Sequence, residues 1–128
     1  MVQFYSVYII SMNAAFTILF VIILTITELG AQTIINKYHL LKHAKDREEL
    51  WYLPYLASGM YSTIAFVLLH SYKYNKMSHI EVYWDAATTI IVPIAGMIMF
   101  NTKINAYGWT GILMTVAGGL LLAFSDKL

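Results

Sequence analysis

Residues 15–36, AFTILFVIILTITELGAQTIIN, decide the fold class of this chain. Glu28 supplies the only charged side chain in the stretch. A helix rises about 1.5 Å per residue, so roughly 20 apolar residues are enough to cross the hydrocarbon core of a bilayer. The stretch is long enough, and it lacks the strict alternation of apolar and polar residues that marks a strand. It therefore predicts a transmembrane helix.

Three later stretches have the same character. The four predicted helices lie at about residues 15–36, 51–72, 78–100 and 104–125. Residues 1–14 form an N-terminal extension, which is either helical or lies at the membrane interface. The charged segment 37–49, KYHLLKHAKDREE, links the first two helices, whereas the other links are short turns that force antiparallel neighbours. The predicted fold is an all-α integral membrane protein, with one membrane domain built as a four-helix transmembrane bundle.

Composition supports a lipid environment and excludes several classes of function. Of the 128 residues, 59% are hydrophobic and 12% are charged, which is more apolar surface than a soluble core of this size can bury. The net charge of +1 gives no field that would attract nucleic acid. The chain has no cysteine, and the spacing of its four histidines is not that of metal ligands. We expect no cofactor and no metal. The histidines are His39, His43, His70 and His79.

An enzyme is the least favoured class. The sequence contains no metal-ligand constellation, no nucleophile and base pair, and no loop of the kind that cradles phosphates. We expect a membrane protein whose partners are the lipid bilayer and either a second copy of the chain or the subunits of a larger membrane assembly.

Glu28 is an unusual residue for the interior of a membrane helix. An ionised carboxylate there costs about 2.5 to 3.5 kcal/mol on insertion scales. Thr25, Gln32 and Asn36 lie at i−3, i+4 and i+8, so they share the helix face of Glu28 and form a polar stripe that ends beside Lys37. One interpretation is a wet cavity in which Glu28 exchanges a proton. The other is a permanently protonated Glu28 that hydrogen-bonds another helix, or a side chain that reaches the membrane surface.

The third predicted helix carries a second group of acids. Glu81 and Asp85 lie on one face with Trp84 and Thr88. The two carboxylates either contribute to a binding site or only complement the helix dipole, because both fall in the first two turns.

Pro93 lies in the middle of the same helix and cannot donate a backbone hydrogen bond. It predicts a kink near Thr89, with the hydroxyl groups of Thr88 and Thr89 placed to satisfy the carbonyl that is freed.

Small residues dominate one face of the fourth predicted helix. Gly111 and Gly118 are seven residues apart, and Gly119 adds to the same surface. Such a face lets another helix approach closely, so it predicts helix packing within the chain or dimerisation between chains.

Four stretches carry a resemblance to a known family. They are TELGAQTIINK around Glu28, SGMYSTIAF around Tyr61, IEVYWDAA around Trp84, and FNTKINAYGWTGILMTVAGGLLL from Phe100. Together they resemble the small multidrug-resistance transporters, within the drug/metabolite transporter superfamily, as a four-helix, EamA-like half. The resemblance covers roughly residues 18–124.

This resemblance implies a function as well as a fold. Members of the family usually work as antiparallel dimers that exchange protons for small cationic or guanidinium-like substrates. By resemblance, Glu28 would bind a proton or the substrate, and Trp84 and Tyr61 would stack against a cation. Glu81 stands where the family has a tyrosine, and Tyr83 offers a partial replacement for that ring. The candidate proton- and substrate-binding residues are Glu28, Tyr61, Glu81, Tyr83, Trp84 and Asp85.

A second hypothesis is a non-transporting structural membrane subunit that anchors a larger assembly. The N-terminal extension and the altered pattern around Glu81 favour it. A composition rich in Ile, Tyr, Asn and Lys is typical of AT-rich genomes, including viral ones. Either hypothesis predicts a multi-pass protein of the cell membrane or of an internal membrane of a virus or organelle.

Overall fold

A computed structural model describes residues 1–125, without the side chains of residues 9, 10, 78 and 123. The described residues form five helices joined by short links, with no strand among them. The helices are α1 (Val2–His39), α2 (Ala44–Glu49), α3 (Leu53–Ser71), α4 (Met77–Phe100) and α5 (Ala106–Ser125). The all-helical fold class is thereby confirmed for this part of the chain.

Two local features extend the sequence-based picture. The extension before residue 15 is helical and continuous with α1, which starts at Val2 and runs to His39 without a proline to interrupt it. The charged segment after α1 contains the short helix α2, whose Arg47 donates a hydrogen bond from Nε to the carbonyl oxygen of Leu41 at 2.9 Å.

In the part of the chain that the structure describes, three helices are long and apolar enough to cross a membrane: α1, α3 and the part of α4 from His79 to Phe100. The apolar part of α5, Ala106–Leu122, is shorter. Much of the apolar surface points outward, as shown by Phe66 and Ile98, which are 68% and 78% exposed. Outward apolar side chains of this extent suit contact with lipid.

Helix α1 is central and packs against both α3 and α4. It is antiparallel to α3, because Gly30 faces the side chain of Met60 near one end and the ring of Phe16 lies 4.7 Å from that of Tyr74 near the other. A methyl group at Gly30 would come within 2.6 Å of Met60 Cε, so the missing side chain permits this close approach.

Helix α5 folds back along α4, and Gly119 approaches Val82. The turn between the two helices is set by two asparagines. Asn101 adopts the left-handed conformation (φ 53°, ψ 34°), which asparagine tolerates better than most residues, and it ends α4. Asn105 accepts a hydrogen bond at Oδ1 from the N–H of Gly108 at 2.9 Å, and so caps the start of α5.

A small apolar core lies where three helices meet. Leu24 of α1, Ile64 of α3 and Ile80 of α4 are all buried there, and Trp84 and Val67 pack against them. This cluster fixes α1 between its two neighbours, and it determines which residues of α1 and α4 face each other one turn further along.

Candidate functional site

Glu28 borders a cavity between α1, α4 and α5. The cavity has a volume of about 300 Å³, and the side chain of Glu28 is half-buried at its wall. The described lining consists of Glu28, Gln32, Thr88, Thr89, Val92, Pro93 and Ile112. We call this space the Glu28 cavity. Its carboxylate, amide and hydroxyl groups come from facing turns of α1 and α4.

The carboxylate of Glu28 has one hydrogen-bond donor among the described residues. Gln32 donates from Nε2 to Glu28 Oε1 at 2.8 Å, as their i and i+4 spacing on α1 allows. No Lys, Arg or His of the described chain forms an ion pair with Glu28. An ionised Glu28 therefore has no counter-charge from the described residues.

A second, smaller cavity continues from the first. It has a volume of about 150 Å³ and shares Gln32 and Val92 with the Glu28 cavity. Asn36 of α1 and Phe100 of α4 border it near the ends of their helices. The polar stripe from Glu28 to Asn36 thus follows two adjoining cavities toward the end of the bundle that carries the 37–49 segment.

Thr25, the fourth member of the predicted stripe, behaves differently. Its side chain is 4% exposed, and its hydroxyl oxygen is buried without a hydrogen-bond partner among the described residues. Thr25 belongs to the packed part of α1 rather than to the wall of the Glu28 cavity.

Trp84 and Tyr61 are not part of the described lining of the Glu28 cavity. Trp84 packs against the core cluster of Leu24, Ile64 and Ile80, and its indole Nε1 is buried with no hydrogen-bond partner in the described part of the chain. Tyr61 lies on α3, with 41% of its surface exposed. Within one chain, the two rings expected to stack against a cation do not meet beside Glu28.

Tyr83 borders a separate cavity of about 440 Å³, which lies toward the N-terminal half of α1. Thr17 and Asn75 also line that cavity, and Asn75 donates a hydrogen bond from Nδ2 to Thr17 Oγ1 at 3.3 Å. The rest of the described wall is apolar: Ala14, Ile18, Val21 and Ile22.

Glu81 and Asp85 also lie outside the described lining of the Glu28 cavity. Glu81 accepts a hydrogen bond from the hydroxyl group of Tyr72 at 3.1 Å. Partial burial raises the pKa of Tyr72, and the hydrogen bond and negative charge of Glu81 raise it further. Asp85 is exposed. The helix-dipole interpretation of both acids stays open.

The small residues of α5 are divided between two surfaces. Gly119 packs near Val82, at 3.5 Å from the position of an added methyl group, whereas nothing lies within 4 Å of such a group at Gly111 or Gly118. The latter two glycines leave an open surface on α5, and dimerisation through it stays a prediction.

Sequence reasoning missed Val92 and Ile112 as members of the site. Val92 follows Thr88 at i+4, so helical periodicity alone could have placed it on the same face of α4. Ile112 reaches the cavity only because the turn after Asn101 returns α5 along α4. No local pattern in the sequence carries that information.

Comparison of the chain with protein-family models, curated proteins and solved structures finds no match. The geometry of the Glu28 cavity and the four stretches that resemble a known family are therefore the features that bear on function.

Proposed function

We propose that this protein is a membrane transporter that exchanges a small cation for protons, with Glu28 as the group that binds both. The supporting observation is the half-buried carboxyl group of Glu28 at the wall of an open cavity, with Gln32 as its only described hydrogen-bond donor. An acid held inside a membrane helix bundle is a functional group by default, because burial of its charge is unfavourable.

Exchange of a proton for a cation is possible because no described cationic side chain pairs with the carboxylate of Glu28. Glu28 is neutralised either by a proton or by a bound cation, and the two compete for the same carboxylate. Binding of one therefore favours release of the other, which is the linkage that an antiporter needs. The adjoining cavity beside Asn36 offers a polar route from Glu28 toward one end of the bundle.

We propose further that α5 crosses the bilayer together with α1, α3 and α4, which makes a four-helix transporter of the small multidrug-resistance type. Its 20 residues span about 30 Å, which is the thickness of a hydrocarbon core. The described part of α5 contains no Asp, Glu, Lys or Arg. The open surface at Gly111 and Gly118 would accept a second copy of the chain, as a homodimer requires.

A second candidate is the non-transporting subunit of a larger membrane assembly. The N-terminal part of α1 favours it, because Phe4 and Tyr5 are 85% and 70% exposed on a helical segment that precedes the contact of Phe16 with Tyr74. The position of Trp84 in the apolar core also favours it, since a ring placed there is not available to a substrate.

Transport in proteoliposomes separates the two candidates. A pH gradient should drive uptake of guanidinium, tetraphenylphosphonium or sodium into vesicles that contain the wild-type protein. Glu28→Gln should abolish the coupled flux while retaining helicity by circular dichroism, because an amide cannot exchange a proton. The matched control is Glu48→Gln, the same change at an exposed acid of the short helix α2, which should retain flux.

Full coupled transport by Glu28→Gln would contradict the proposal. A stoichiometric complex with other proteins, together with no shift in thermal stability on addition of any of the three cations, would favour the structural subunit.

A further inference from the structure

The described lining of the Glu28 cavity contains oxygen ligands and aliphatic groups but no aromatic ring. Organic cations are commonly held by aromatic faces, whereas hard inorganic cations take carboxylate, carbonyl, amide and hydroxyl oxygens. The lining thus has the chemistry of an inorganic cation site. A volume of about 300 Å³ leaves room for a cation with several bound waters.

A backbone carbonyl adds to these oxygens. In a helix the N–H of residue i bonds to the carbonyl oxygen of residue i−4, so Pro93, which has no N–H, leaves the carbonyl oxygen of Thr89 without this partner. In a helix such an oxygen points along the axis, from Thr89 toward Pro93. Both residues line the Glu28 cavity, so the freed carbonyl lies on the face of α4 that borders it.

The neighbouring hydroxyl does not satisfy the carbonyl of Thr89. Thr88 Oγ1 instead donates to the carbonyl oxygens of Trp84 and Asp85, at 3.0 and 3.2 Å, one turn earlier. Thr89 has no hydrogen bond from its own side chain among the described interactions. The expectation that the threonines compensate for Pro93 is therefore not met by a side-chain hydrogen bond from Thr88 or Thr89, and the carbonyl oxygen of Thr89 lacks its usual i+4 donor.

Gln32 contributes another oxygen. A carboxylate only accepts hydrogen bonds, so the amide group turns its Nε2 toward Glu28, as the 2.8 Å contact requires. Its Oε1 is then left as an acceptor beside the two adjoining cavities that Gln32 lines.

The single carboxylate in the described lining of the Glu28 cavity favours a singly charged cation. One carboxylate neutralises one positive charge, and all the other ligands are neutral. Divalent metals are usually held by several carboxylates or by imidazole and thiolate groups. The described residues include no group of three or more His, Cys, Asp or Glu that could hold a metal ion.

We propose that the Glu28 cavity is a binding site for a small alkali-metal cation, held by the carboxylate of Glu28, the amide oxygen of Gln32 and the backbone carbonyl oxygen of Thr89 that Pro93 leaves free. This inference rests on the proposed function, because it names the substrate class of the same cavity. A proton and the cation compete for the same carboxylate of Glu28.

The test uses the full chain in lipid nanodiscs, with radioactive sodium as the probe and N-methyl-D-glucamine chloride to keep the ionic strength constant. Wild-type protein should bind sodium in a saturable way, and Glu28→Gln should bind none. Pro93→Ala restores the N–H at residue 93 and satisfies the Thr89 carbonyl, so it should lower sodium affinity about tenfold, as the loss of one ligand in a charge-assisted set implies.

Pro54→Ala is the matched control. Pro54 lies in the first turn of α3, where its missing N–H frees no carbonyl of that helix, so the same substitution should leave sodium affinity unchanged. Gln32→Met is a second variant, which removes the amide oxygen at similar side-chain length and should also weaken binding about tenfold. Circular dichroism of each variant checks that it is folded.

Three outcomes would overturn the inference: no saturable sodium binding by the wild-type protein, equal affinity in Pro93→Ala and wild type, or binding of lithium, sodium and potassium that persists in Glu28→Gln. If the wild-type protein transports guanidinium or tetraphenylphosphonium through Glu28 but ignores sodium, the proposed function stands and this inference fails. If it binds sodium through the named groups but carries no flux, the site stands and the transporter proposal fails.

Discussion

One helix carries two stripes of opposite character, and their comparison explains how this molecule holds an acid within an apolar chain. Leu24 and Ala31 of α1 are fully buried, whereas Glu28 and Gln32 border a cavity. Ala31 lies only three residues from Glu28, which is a rotation of about 60° around the helix. The packed stripe of Leu24 and Ala31 holds α1 against its neighbours. The polar stripe of Glu28 and Gln32 borders a cavity because no neighbouring helix packs closely against it.

Both the face of α1 and the depth along the helix decide whether a polar group has space. Thr25 shares the face of Glu28 by spacing, but it lies one turn closer to the cluster of Leu24, Ile64 and Ile80 and is buried. The boundary between the two stripes therefore passes between Thr25 and Glu28.

The largest expected effect comes from moving a carboxyl group onto the packed stripe. Ala31→Glu places a larger, ionisable side chain at a position with no exposed surface, so the free energy of unfolding should fall by about 3 kcal/mol or more. The measurement is unfolding in mixed detergent micelles followed by circular dichroism. The control is Ala44→Glu at the exposed start of α2, which should have little effect. Equal stability of the two variants would show that Ala31 is not in a packed environment.

A smaller effect of the opposite sign is expected at Thr25. Its buried hydroxyl has no partner, so Thr25→Val removes an unsatisfied polar group at nearly constant shape and should raise the free energy of unfolding by about 1 kcal/mol. Thr17→Val is the matched control. Thr17 donates to the carbonyl oxygen of Asn13 at 2.8 Å and accepts from Asn75, so its loss should not stabilise. A destabilised Thr25→Val would mean that this hydroxyl has a bound partner and belongs to the polar stripe.

The smallest effect is expected outside both stripes, at the hydrogen bond from Tyr72 to Glu81. The raised pKa of Tyr72 means that folding favours its protonated form, so the stabilising contribution is present below the ordinary pKa of tyrosine, near 10, and is lost as the pH rises through the raised value. Unfolding midpoints of wild type and Tyr72→Phe should therefore differ slightly at pH 8 and converge at higher pH. Tyr52→Phe, at another exposed tyrosine, should show no such convergence; a difference that persists above the raised value would contradict the assignment.

Helical periodicity accounts for what the sequence could predict. The apolar stretches around α3 and α4 are long enough to specify helices without any tertiary information, and the face shared by Glu28, Gln32 and Asn36 follows from spacing along α1. The all-helical class was therefore predictable. The number of membrane crossings stays a prediction, since α5 has a shorter apolar part than the other three helices.

The site was less predictable, because its wall depends on how helices cross. Ile112 lines the cavity because the turn between α4 and α5 brings α5 back along α4. Trp84 does not line it, because its indole ring packs against the core cluster. Neither position could be predicted from a local sequence pattern. The candidate binding roles of Tyr61, Tyr83, Glu81 and Asp85 stay predictions, since these residues lie outside the described lining of the Glu28 cavity.

The unbroken length of α1 would place a demand on a bilayer that holds it. With 38 residues, the helix extends for about 57 Å, nearly twice the roughly 30 Å of a hydrocarbon core. In a bilayer, the surplus has to be accommodated by tilt, by projection beyond the headgroups or by local thickening. Helix α1 also carries Glu28, so a change in the tilt or projection of the helix changes the depth of the carboxyl group in the bilayer. The thickness of the bilayer would therefore determine how deeply Glu28 lies.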